Sequence, residues 1–450
     1  MKFAVIGAGI AGLGAAYILG QRHRVRLFER NCYLGGHSNT VDVEIDGRSC
    51  PVDTGFIVYN ERNYPNLTRL FAHLEVPTES SDMSFAVSVE RPGESHALEY
   101  GGGSLSQLFA QKRNLHDPRF LGMIADILRF FVGARRLLAS GGEHEVTLGA
   151  YLARGRYGDA FVYDHLLPMA AAIWSCPFAT MLDFPAASFA RFLHNHGLLS
   201  LANRPRWRTV SGGSREYVRR LTRLFSIDAR TAMPAVAVER DGHGVVVRDA
   251  SGASERFDHV VIATHADEAL ALLAQPSDEE RRLLGAFRYQ RNRAVLHRDE
   301  RLMPHDRRVW SSWNYMAAGG RDSSRRVAVT YWMNMLQNID WSHQLFVSLN
   351  PVVEPRPDMT LRSFDYDHPV FDVGAVRAQA ELARIQGVSR VSYCGSYCGY
   401  GFHEDALSSA IAVTRGLGVA PPWEIDPAPA PVLAPAEALP GPALAAASDD

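Results

Sequence analysis

A glycine-rich turn lies near the start of the chain, between an apolar run and a stretch of small apolar residues. The run Phe3-Ala4-Val5-Ile6 precedes Gly7-Ala8-Gly9-Ile10-Ala11-Gly12, and apolar residues continue to Leu19. This order predicts a buried strand, a tight turn and a helix, which is the context in which G-x-G-x-x-G indicates a dinucleotide site. Gly7 permits the turn, Gly9 lets the backbone approach a pyrophosphate, and Gly12 lets the helix pack closely on the strand.

A second predicted strand, Val25-Arg26-Leu27-Phe28, ends in Glu29. An acid about 20 residues beyond the glycines binds a ribose 2′-hydroxyl in dinucleotide-binding folds. The glycine pair Gly35-Gly36 follows and can bring further N–H groups to the same pyrophosphate. The N-terminal segment therefore predicts the first βαβ unit of an α/β, Rossmann-like domain.

Three later segments extend this pattern. The first is Val52-Asp53-Thr54-Gly55. The second predicts a buried parallel strand with a small-residue turn, at Val260-Val261-Ile262-Ala263-Thr264-His265. The third predicts a strand end, a glycine loop and a helix, over residues 394–410. In this order the pieces resemble the flavin amine oxidase and phytoene desaturase superfamily, over most of residues 1–420. The resemblance implies non-covalent FAD and a discontinuous FAD-binding domain of the glutathione reductase type, with an inserted α+β substrate domain.

The cofactor-binding residues that follow from these motifs lie in all of the segments. They are Gly7, Gly9, Ile10, Ala11, Gly12, Glu29, Arg30, Gly35, Gly36, His37, Ser38, Thr54, Gly55, Val236, Ala263, Thr264, Gly395, Ser396, Phe402, His403 and Ala406. Two of them depart from the superfamily pattern. His37 stands where the superfamily has an arginine, so charge neutralisation at the phosphates is weaker or depends on pH. Ser396 stands where an acid usually binds the ribityl chain, and a serine still offers one hydrogen bond.

Composition restricts the class of protein. The chain has 450 residues, of which 46% are hydrophobic and 21% charged, so it can bury a large core in two or three domains. A formal net charge of -2 gives no indication of nucleic-acid binding. The five cysteines form no metal-ligand cluster. Because the first strand begins at Lys2, we expect no signal peptide and a cytoplasmic location.

The motifs predict a discontinuous domain organisation. Residues 1–75, 205–273 and 388–420 are assigned to the FAD-binding domain. Residues 76–204 and 274–387 are assigned to the substrate domain. After residue 420 the composition shifts to Ala and Pro, which predicts a disordered tail over 421–450.

The segment Gly399-Tyr400-Gly401-Phe402-His403-Glu404-Asp405 contains the best catalytic candidates. The resemblance places this loop beside the flavin ring, with the next helix directed at the ring's pyrimidine end. His403 beside acids is a candidate for proton transfer near neutral pH, with Tyr397, Tyr400 and Glu404 as the other candidates. The alternative reading makes Glu404 or Asp405 a helix cap and first-turn acid.

The middle of the chain gives weaker signals about the substrate. Residues 120–138 predict an amphipathic helix, which is either a core helix or a helix at a membrane surface or lipid tunnel. Aromatic residues and Met can line an apolar pocket, or simply form the core: Trp174, Phe178, Phe184, Phe189, Phe192, Trp207, Tyr331, Trp332, Met333, Met335 and Trp341. His196 lies among them as a candidate contact.

Lysine usage separates two branches of the superfamily. Amine oxidases of this superfamily commonly place a lysine near flavin N5, but Lys2 and Lys112 are the chain's two lysines and neither matches. Residues 207–214 and 395–407 instead resemble the flavoprotein found beside, or fused to, cyclopropane fatty-acid synthases. That resemblance implies a fatty-acyl or other lipid substrate and a lipid-modifying methyltransferase partner. The membrane-surface interpretation of residues 120–138 implies peripheral contact with the inner membrane surface.

Three functions remain open from the sequence. The first is an FAD oxidoreductase that transfers hydride from an apolar, acyl-type substrate to flavin N5, giving desaturation or double-bond rearrangement. The second is an amine or carotenoid-type flavin oxidase. The third is a redox-silent, FAD-bound scaffold for a lipid-modifying partner.

Overall fold

The fold is described from a computed structural model, which covers residues 1–90, 93, 95–140, 146–174, 176–200, 205–223, 228–317 and 328–424. Its first layer is a parallel five-stranded sheet. The strands, in spatial order, are Asp228–Arg230, Arg24–Phe28, Lys2–Ile6, His259–Ile262 and Val391–Tyr393. Parallel sheets are buried on both faces, and accordingly all of Ala4, Val5, Val261 and Val391 are fully buried.

Two helices pack together against this sheet. Ile10–Gly20 follows the glycine turn, is buried from Ile10 to Leu19, and packs against His403–Gly416 near the C-terminus. A Cβ on Gly14 would lie 2.8 Å from Cδ1 of Leu407, so the helices approach too closely for a larger residue. This contact brings the two ends of the chain into one layer.

A second, larger sheet forms the other half of the molecule. Its seven strands, in spatial order, are Thr360–Val370, Arg288–His297, Phe346–Leu349, Ala328–Trp332, Trp313–Ala317, Phe85–Val89 and Leu98–Gly101. Pairing is antiparallel throughout except between Trp313–Ala317 and Phe85–Val89. The core of this half contains many of the aromatic residues in the middle of the chain, including Trp174, Phe178, Phe189 and Phe192.

Three smaller sheets complete the strand inventory. They pair Thr40–Ile45 with Arg48–Asp53; Val58–Asn60 with Trp207–Val210 and Thr78–Ser81; and Ala235–Arg240 with Val245–Asp249 and Ser254–Phe257. The remaining α-helices are Pro65–His73, Leu105–Leu108, Pro118–Ala139, Leu148–Arg154, Asp159–Phe161, Leu167–Trp174, Phe178–Leu182, Ala186–Asn195, Arg215–Arg223, Ala266–Leu272, Asp278–Leu284, Met333–Leu336 and Val373–Glu381. Within the described ranges, no helix is both long and apolar enough to cross a membrane.

The predicted tail begins too early. Trp423 is only 8% exposed and packs against the rings of Tyr17 and His73, and Glu424 pairs with Arg415. An indole buries a large apolar area, which explains why these residues stay attached to the first domain. Residues 425–450 of the predicted tail lie outside the described residues.

Candidate active site

A cavity of about 860 Å³ extends from the first sheet into the second half of the molecule. Its volume lies toward the upper end of the roughly 300 to 1,000 Å³ typical of ligand pockets. The lining includes the glycine turn after the first strand, the Gly35-Gly36 pair and the loop that precedes His403–Gly416. Most of the predicted site residues therefore meet at one place.

The first glycine turn forms one end of this cavity. Gly7 has a φ of +98°, which L side chains rarely adopt, and a Cβ on Gly12 would lie 1.8 Å from the Gly7 carbonyl oxygen. Gly9 differs from both, because its Cβ would meet nothing within 4 Å and would occupy open cavity. Gly7 and Gly12 thus shape the turn and the packing, and Gly9 keeps space free for a ligand.

The second glycine pair closes on the first. The Gly35 N–H donates to the Ala8 carbonyl at 2.8 Å, and a Cβ on Gly36 would lie 3.1 Å from the Gly9 Cα. The two loops together, residues 7–12 and 35–36, are called the glycine cradle below. The N-terminus of Ile10–Gly20 opens into this cradle, and such a helix end favours an anionic group.

Glu29 lies beside the cradle with its carboxylate fixed. One oxygen accepts the Ala8 N–H and the other accepts the Asn31 N–H, both at 2.8 Å, and the side chain lines the cavity. Each carboxylate oxygen keeps lone-pair capacity for a further donor. The group is therefore held ready to accept a ribose hydroxyl.

Most of the predicted cofactor residues line the cavity, and a small set lies behind its wall. The lining members are Gly7, Gly9, Ile10, Ala11, Glu29, Arg30, Gly35, Gly36, His37, Gly55, Val236, Ala263, Thr264, Gly395, Ser396, Phe402, His403 and Ala406. The described residues Gly12, Ser38 and Thr54 are not among the lining residues. Gly12 packs on the turn, Ser38 bonds to His403, and Thr54 bonds to Tyr366, so these three support the cavity wall and their direct contact with the cofactor stays a prediction.

Glu404 lies outside the cavity lining and contacts a neighbouring helix. Its carboxylate accepts the Asn66 and Leu67 N–H groups at 2.9 Å each, at the start of helix Pro65–His73, and it does not line the cavity. Burial raises the pKa of Glu404 to about 7. The helix turns this side chain toward a neighbouring helix end, where it acts as a cap, so its position does not support the catalytic role predicted for Glu404. Asp405 caps its own helix by accepting the Phe402 N–H at 2.9 Å.

His403 lines the cavity but is held as a neutral ring. It stacks on Phe56 with ring centroids 3.8 Å apart, and its Nε2 lies 2.9 Å from the Ser38 hydroxyl. Loss of hydration lowers the pKa of His403 to about 3. His403 lies in the cavity wall, and its role in proton transfer stays a prediction that this low pKa does not favour.

The two tyrosine candidates also reach the cavity. Tyr397 is 1% exposed, and its hydroxyl has no hydrogen-bond partner among the described residues. Burial raises the pKa of Tyr397 well above its usual value, so the phenol stays protonated. Tyr400 packs beside Phe192, and its carbonyl accepts the Trp174 indole N–H at 3.3 Å. Burial also raises the pKa of Tyr400, so both phenols are neutral groups rather than bases.

The far end of the cavity is apolar and is called the apolar arm below. It is lined by Met83, Ser84, Phe85, Met169, Ile173, Trp174, Phe192, Trp313, Tyr331 and Phe371. Among these described residues none is Asp, Glu, Lys or Arg. The rings of Trp174 and Phe192 lie 4.5 Å apart and those of Trp313 and Tyr331 lie 4.8 Å apart, so the walls are closely packed.

Some of the middle-chain predictions reach this site and others do not. Of the aromatic and Met set, Trp174, Phe192, Trp207 and Tyr331 line the cavity, as does His196. The other members of the set belong to the protein interior or, in the case of Trp341, to the surface. The helix Pro118–Ala139 buries one face in the core and contributes no described residue to the cavity, so the expectation of a helix at the mouth of a lipid tunnel is not met.

Sequence reasoning missed several residues of the cavity lining. Phe56, His265, Tyr366 and His368 all line the cavity. Phe56 and His265 directly follow glycine or small-residue motifs, which is the signal that could have found them. Tyr366 and His368 lie on the second sheet's edge strand, and no local pattern predicts that this strand reaches the cradle.

Comparisons with known proteins agree with this architecture. A family model described as an NAD(P)-binding Rossmann-like domain matches residues 5–74. No curated protein matches the chain. Cyclohexylamine oxidase from Brevibacterium oxydans IH-35A has a similar structure, with 16% identity and a TM-score of 0.67 over 93% of this chain and 99% of that one.

Two further solved structures are similar over the same extent. Putrescine oxidase bound to putrescine has 14% identity and a TM-score of 0.66, covering 93% of this chain and 99% of that one. A CLA-producing fatty acid isomerase from P. acnes has 16% identity and a TM-score of 0.59, covering 92% and 98%. At these identities the likeness establishes the fold, a Rossmann-like domain joined to a second domain built on a mixed sheet.

The cavity fits FAD on its own geometry. The open space at Gly9 admits a pyrophosphate, the fixed Glu29 carboxylate suits a ribose, and the loop from Gly395 to Phe402 brings a helix N-terminus to the same cavity. Among the described residues, no cysteine lines the cavity, so this residue type offers no thiol for attachment of a flavin.

Proposed function

We propose that the protein is an FAD-dependent oxidoreductase acting on an apolar, fatty-acyl or other lipid substrate. The observation that carries this proposal is one cavity that joins the glycine cradle to the uncharged apolar arm. FAD is held non-covalently in the cradle, and when bound it supplies a hydride acceptor at N5 for desaturation or double-bond rearrangement.

The chain's own residues supply binding, orientation and exclusion of water. Backbone N–H groups of the cradle hold the phosphates, and Glu29 holds the ribose. The first turn of His403–Gly416 lies in the cavity wall, and its positive end stabilises negative charge on a nearby ring. The neutral hydroxyls of Tyr397 and Tyr400 are the candidates for holding a proton or a substrate oxygen.

The lack of charged side chains in the apolar arm favours a lipid substrate over an amine substrate. An amine substrate is cationic near neutral pH, and burying a cation without a paired anion is costly. The residues of the arm include no carboxylate, and the carboxylates of the cavity lining are Glu29, Glu268, Asp365 and Asp367. An acyl chain instead gains about 0.8 kcal/mol for each CH₂ that leaves water. The fatty acid isomerase that shares this fold also supports a fatty-acyl substrate.

An amine oxidase is the second candidate, since cyclohexylamine oxidase and putrescine oxidase share the fold. The two candidates are separated by anaerobic mixing of the holoprotein with lipids and with amines while the flavin absorbance is recorded. We expect bleaching, or turnover to an isomer, with acyl substrates. Bleaching by amines alone would establish the second candidate. If product analysis shows no turnover and no substrate of either class bleaches the flavin, the redox-silent scaffold remains.

A pair of variants tests the arm itself. Met169→Glu introduces a charge into the arm, and Val388→Glu introduces the same charge at a side chain that is 51% exposed and outside the cavity lining. We expect both variants to retain the bound-FAD spectrum and only Met169→Glu to lose acyl binding. Unchanged acyl binding in Met169→Glu would contradict the assignment of the arm.

We also propose peripheral membrane contact through the outer face of helix Pro118–Ala139. Leu121, Leu128 and Val132 lie on one face and are 43%, 48% and 49% exposed, with Arg136 nearby in sequence. Vesicle flotation of the wild type and of Leu128→Glu tests this contact, and equal flotation would contradict it. A lipid-modifying methyltransferase partner is a further proposal, tested by co-purification with such an enzyme.

A further inference from the structure

The cavity is short of positive charge where the cofactor's phosphates are proposed to lie. Among the described lining residues Arg30 is the single Lys or Arg, its side chain is 59% exposed, and its guanidinium contacts the Glu268 carboxylate. A pyrophosphate diester carries two negative charges. The helix end at Gly9 contributes only about half of one elementary charge. The rest of the negative charge on the pyrophosphate therefore needs another source of positive charge.

Three histidines, His37, His265 and His368, lie close together beside the glycine cradle. His37 directly follows Gly36, and its ring centroid lies 5.5 Å from that of His368 and 6.4 Å from that of His265. The Nε2 atom of His37 is buried and has no hydrogen-bond partner among the described residues. A buried polar nitrogen without a partner is costly, and a ligand oxygen at this place would remove the cost.

Neighbouring side chains fix the positions of the three histidine rings. The Asn292 amide lies 3.2 Å from Nδ1 of His368, and the Tyr289 ring stacks on His265 at 4.4 Å. Tyr366 packs on His37 at 4.9 Å, and His403 contributes further repulsion to it. Without a ligand, loss of hydration and repulsion between the rings hold the pKa of His37 well below its usual value and lower that of His368 to about 4, so these two rings are neutral. The charged side chains that share the cavity lining are Glu29, Arg30, Glu268, Asp365 and Asp367.

We infer that the cluster of His37, His265 and His368 is the phosphate-binding group of this chain and takes up a proton when the pyrophosphate binds. This inference rests on the proposed function. Anionic phosphate oxygens beside His37 favour the imidazolium, whose Nε2–H then donates to them. Because the bound state holds more protons, affinity rises as the pH falls, by at most about tenfold per pH unit for each proton.

Release of FAD from the holoprotein tests the inference, since free FAD is fluorescent. We expect the wild type to release more FAD at about pH 8 than at about pH 6, where histidines gain protons. His37→Asn should bind FAD more weakly with no pH dependence, and His37→Arg should bind it tightly with no pH dependence. His243→Asn, at an exposed hairpin turn, is the matched control and should keep the wild-type profile.

A second measurement is independent of how the variants fold. Calorimetric titration of wild-type apoprotein in two buffers of different ionisation enthalpy counts the protons taken up, and riboflavin serves as the ligand without phosphates. We expect proton uptake with FAD and none with riboflavin. FAD binding without pH dependence or proton uptake, or a pH profile unchanged in His37→Asn, would overturn the inference. Absence of FAD binding at any pH would instead overturn the proposed function.

Discussion

Substitution of Gly9 separates ligand binding from folding. Its φ of -71° and ψ of -178° are ordinary extended values that a β-branched residue adopts, and its Cβ would meet no atom within 4 Å. Gly9→Val should therefore leave the unfolding temperature close to that of the wild type. The added methyl groups occupy the space of the phosphates, and overpacking a filled site costs about 1 to 3 kcal/mol. That cost corresponds to a roughly 5- to 150-fold weaker affinity for FAD.

The assay is FAD content after purification, followed by fluorescence titration of the apoprotein and a thermal melt. Gly122→Val is the control, because Gly122 also has open space for a Cβ but lies on the exposed side of helix Pro118–Ala139, away from the cavity. It should retain FAD. Gly12→Ala is the opposite control, since its Cβ would lie 1.8 Å from the Gly7 carbonyl and should impair folding. Stoichiometric FAD at unchanged affinity in a folded Gly9→Val protein would refute the placement of the pyrophosphate.

Three further outcomes follow from the site. Because the pKa of His403 is about 3, His403→Ala should retain FAD and slow flavin reduction by less than the roughly 10²-fold typical of a lost acid–base group. Stopped-flow measurement of flavin reduction tests this expectation, and a larger loss of rate would support an acid–base role for His403. Burial raises the pKa of Glu404 to about 7, so the folded state holds this proton more tightly than the unfolded state. The free energy of unfolding therefore falls as the pH rises from the ordinary carboxyl range through 7. Thermal melts should show the wild type losing stability relative to Glu404→Gln over that range, and a constant difference between the two proteins would contradict the assignment. Affinity for saturated acyl chains should rise about fourfold for each added CH₂ until the apolar arm is full, as read from the flavin spectrum, and a flat series would count against the lipid substrate.

The sequence could predict those parts of the site that depend on local backbone chemistry. The turn at Gly7, the packing at Gly12, the open position at Gly9 and the acid Glu29 all lie within one βαβ unit. Their roles follow from backbone sterics and from hydrogen bonds within the first 36 residues, such as that from the Ala8 N–H to Glu29, and the spacing of the motifs encodes both. The helix that begins at His403 could be predicted for the same reason.

Side-chain directions at the ends of elements could not be predicted in this way. Glu404 and His403 are neighbours, yet one caps helix Pro65–His73 and the other faces the cavity. Successive helical residues point about 100° apart, so which of them reaches the cavity depends on how the helix is rotated against Ile10–Gly20. That rotation is fixed by packing between segments almost 400 positions apart in the chain.

By itself the sequence determined the first α/β unit and its glycine cradle, because their motifs and the contacts between them lie within the first 36 residues. The tertiary structure alone decided that His368 and Tyr366, from an edge strand of the second sheet, stand beside His37. It also decided that Phe85, Ile173 and Phe371 form one wall with Trp313. These residues are brought together by burial of apolar surface between separate elements, which is non-directional and leaves no local pattern in the chain.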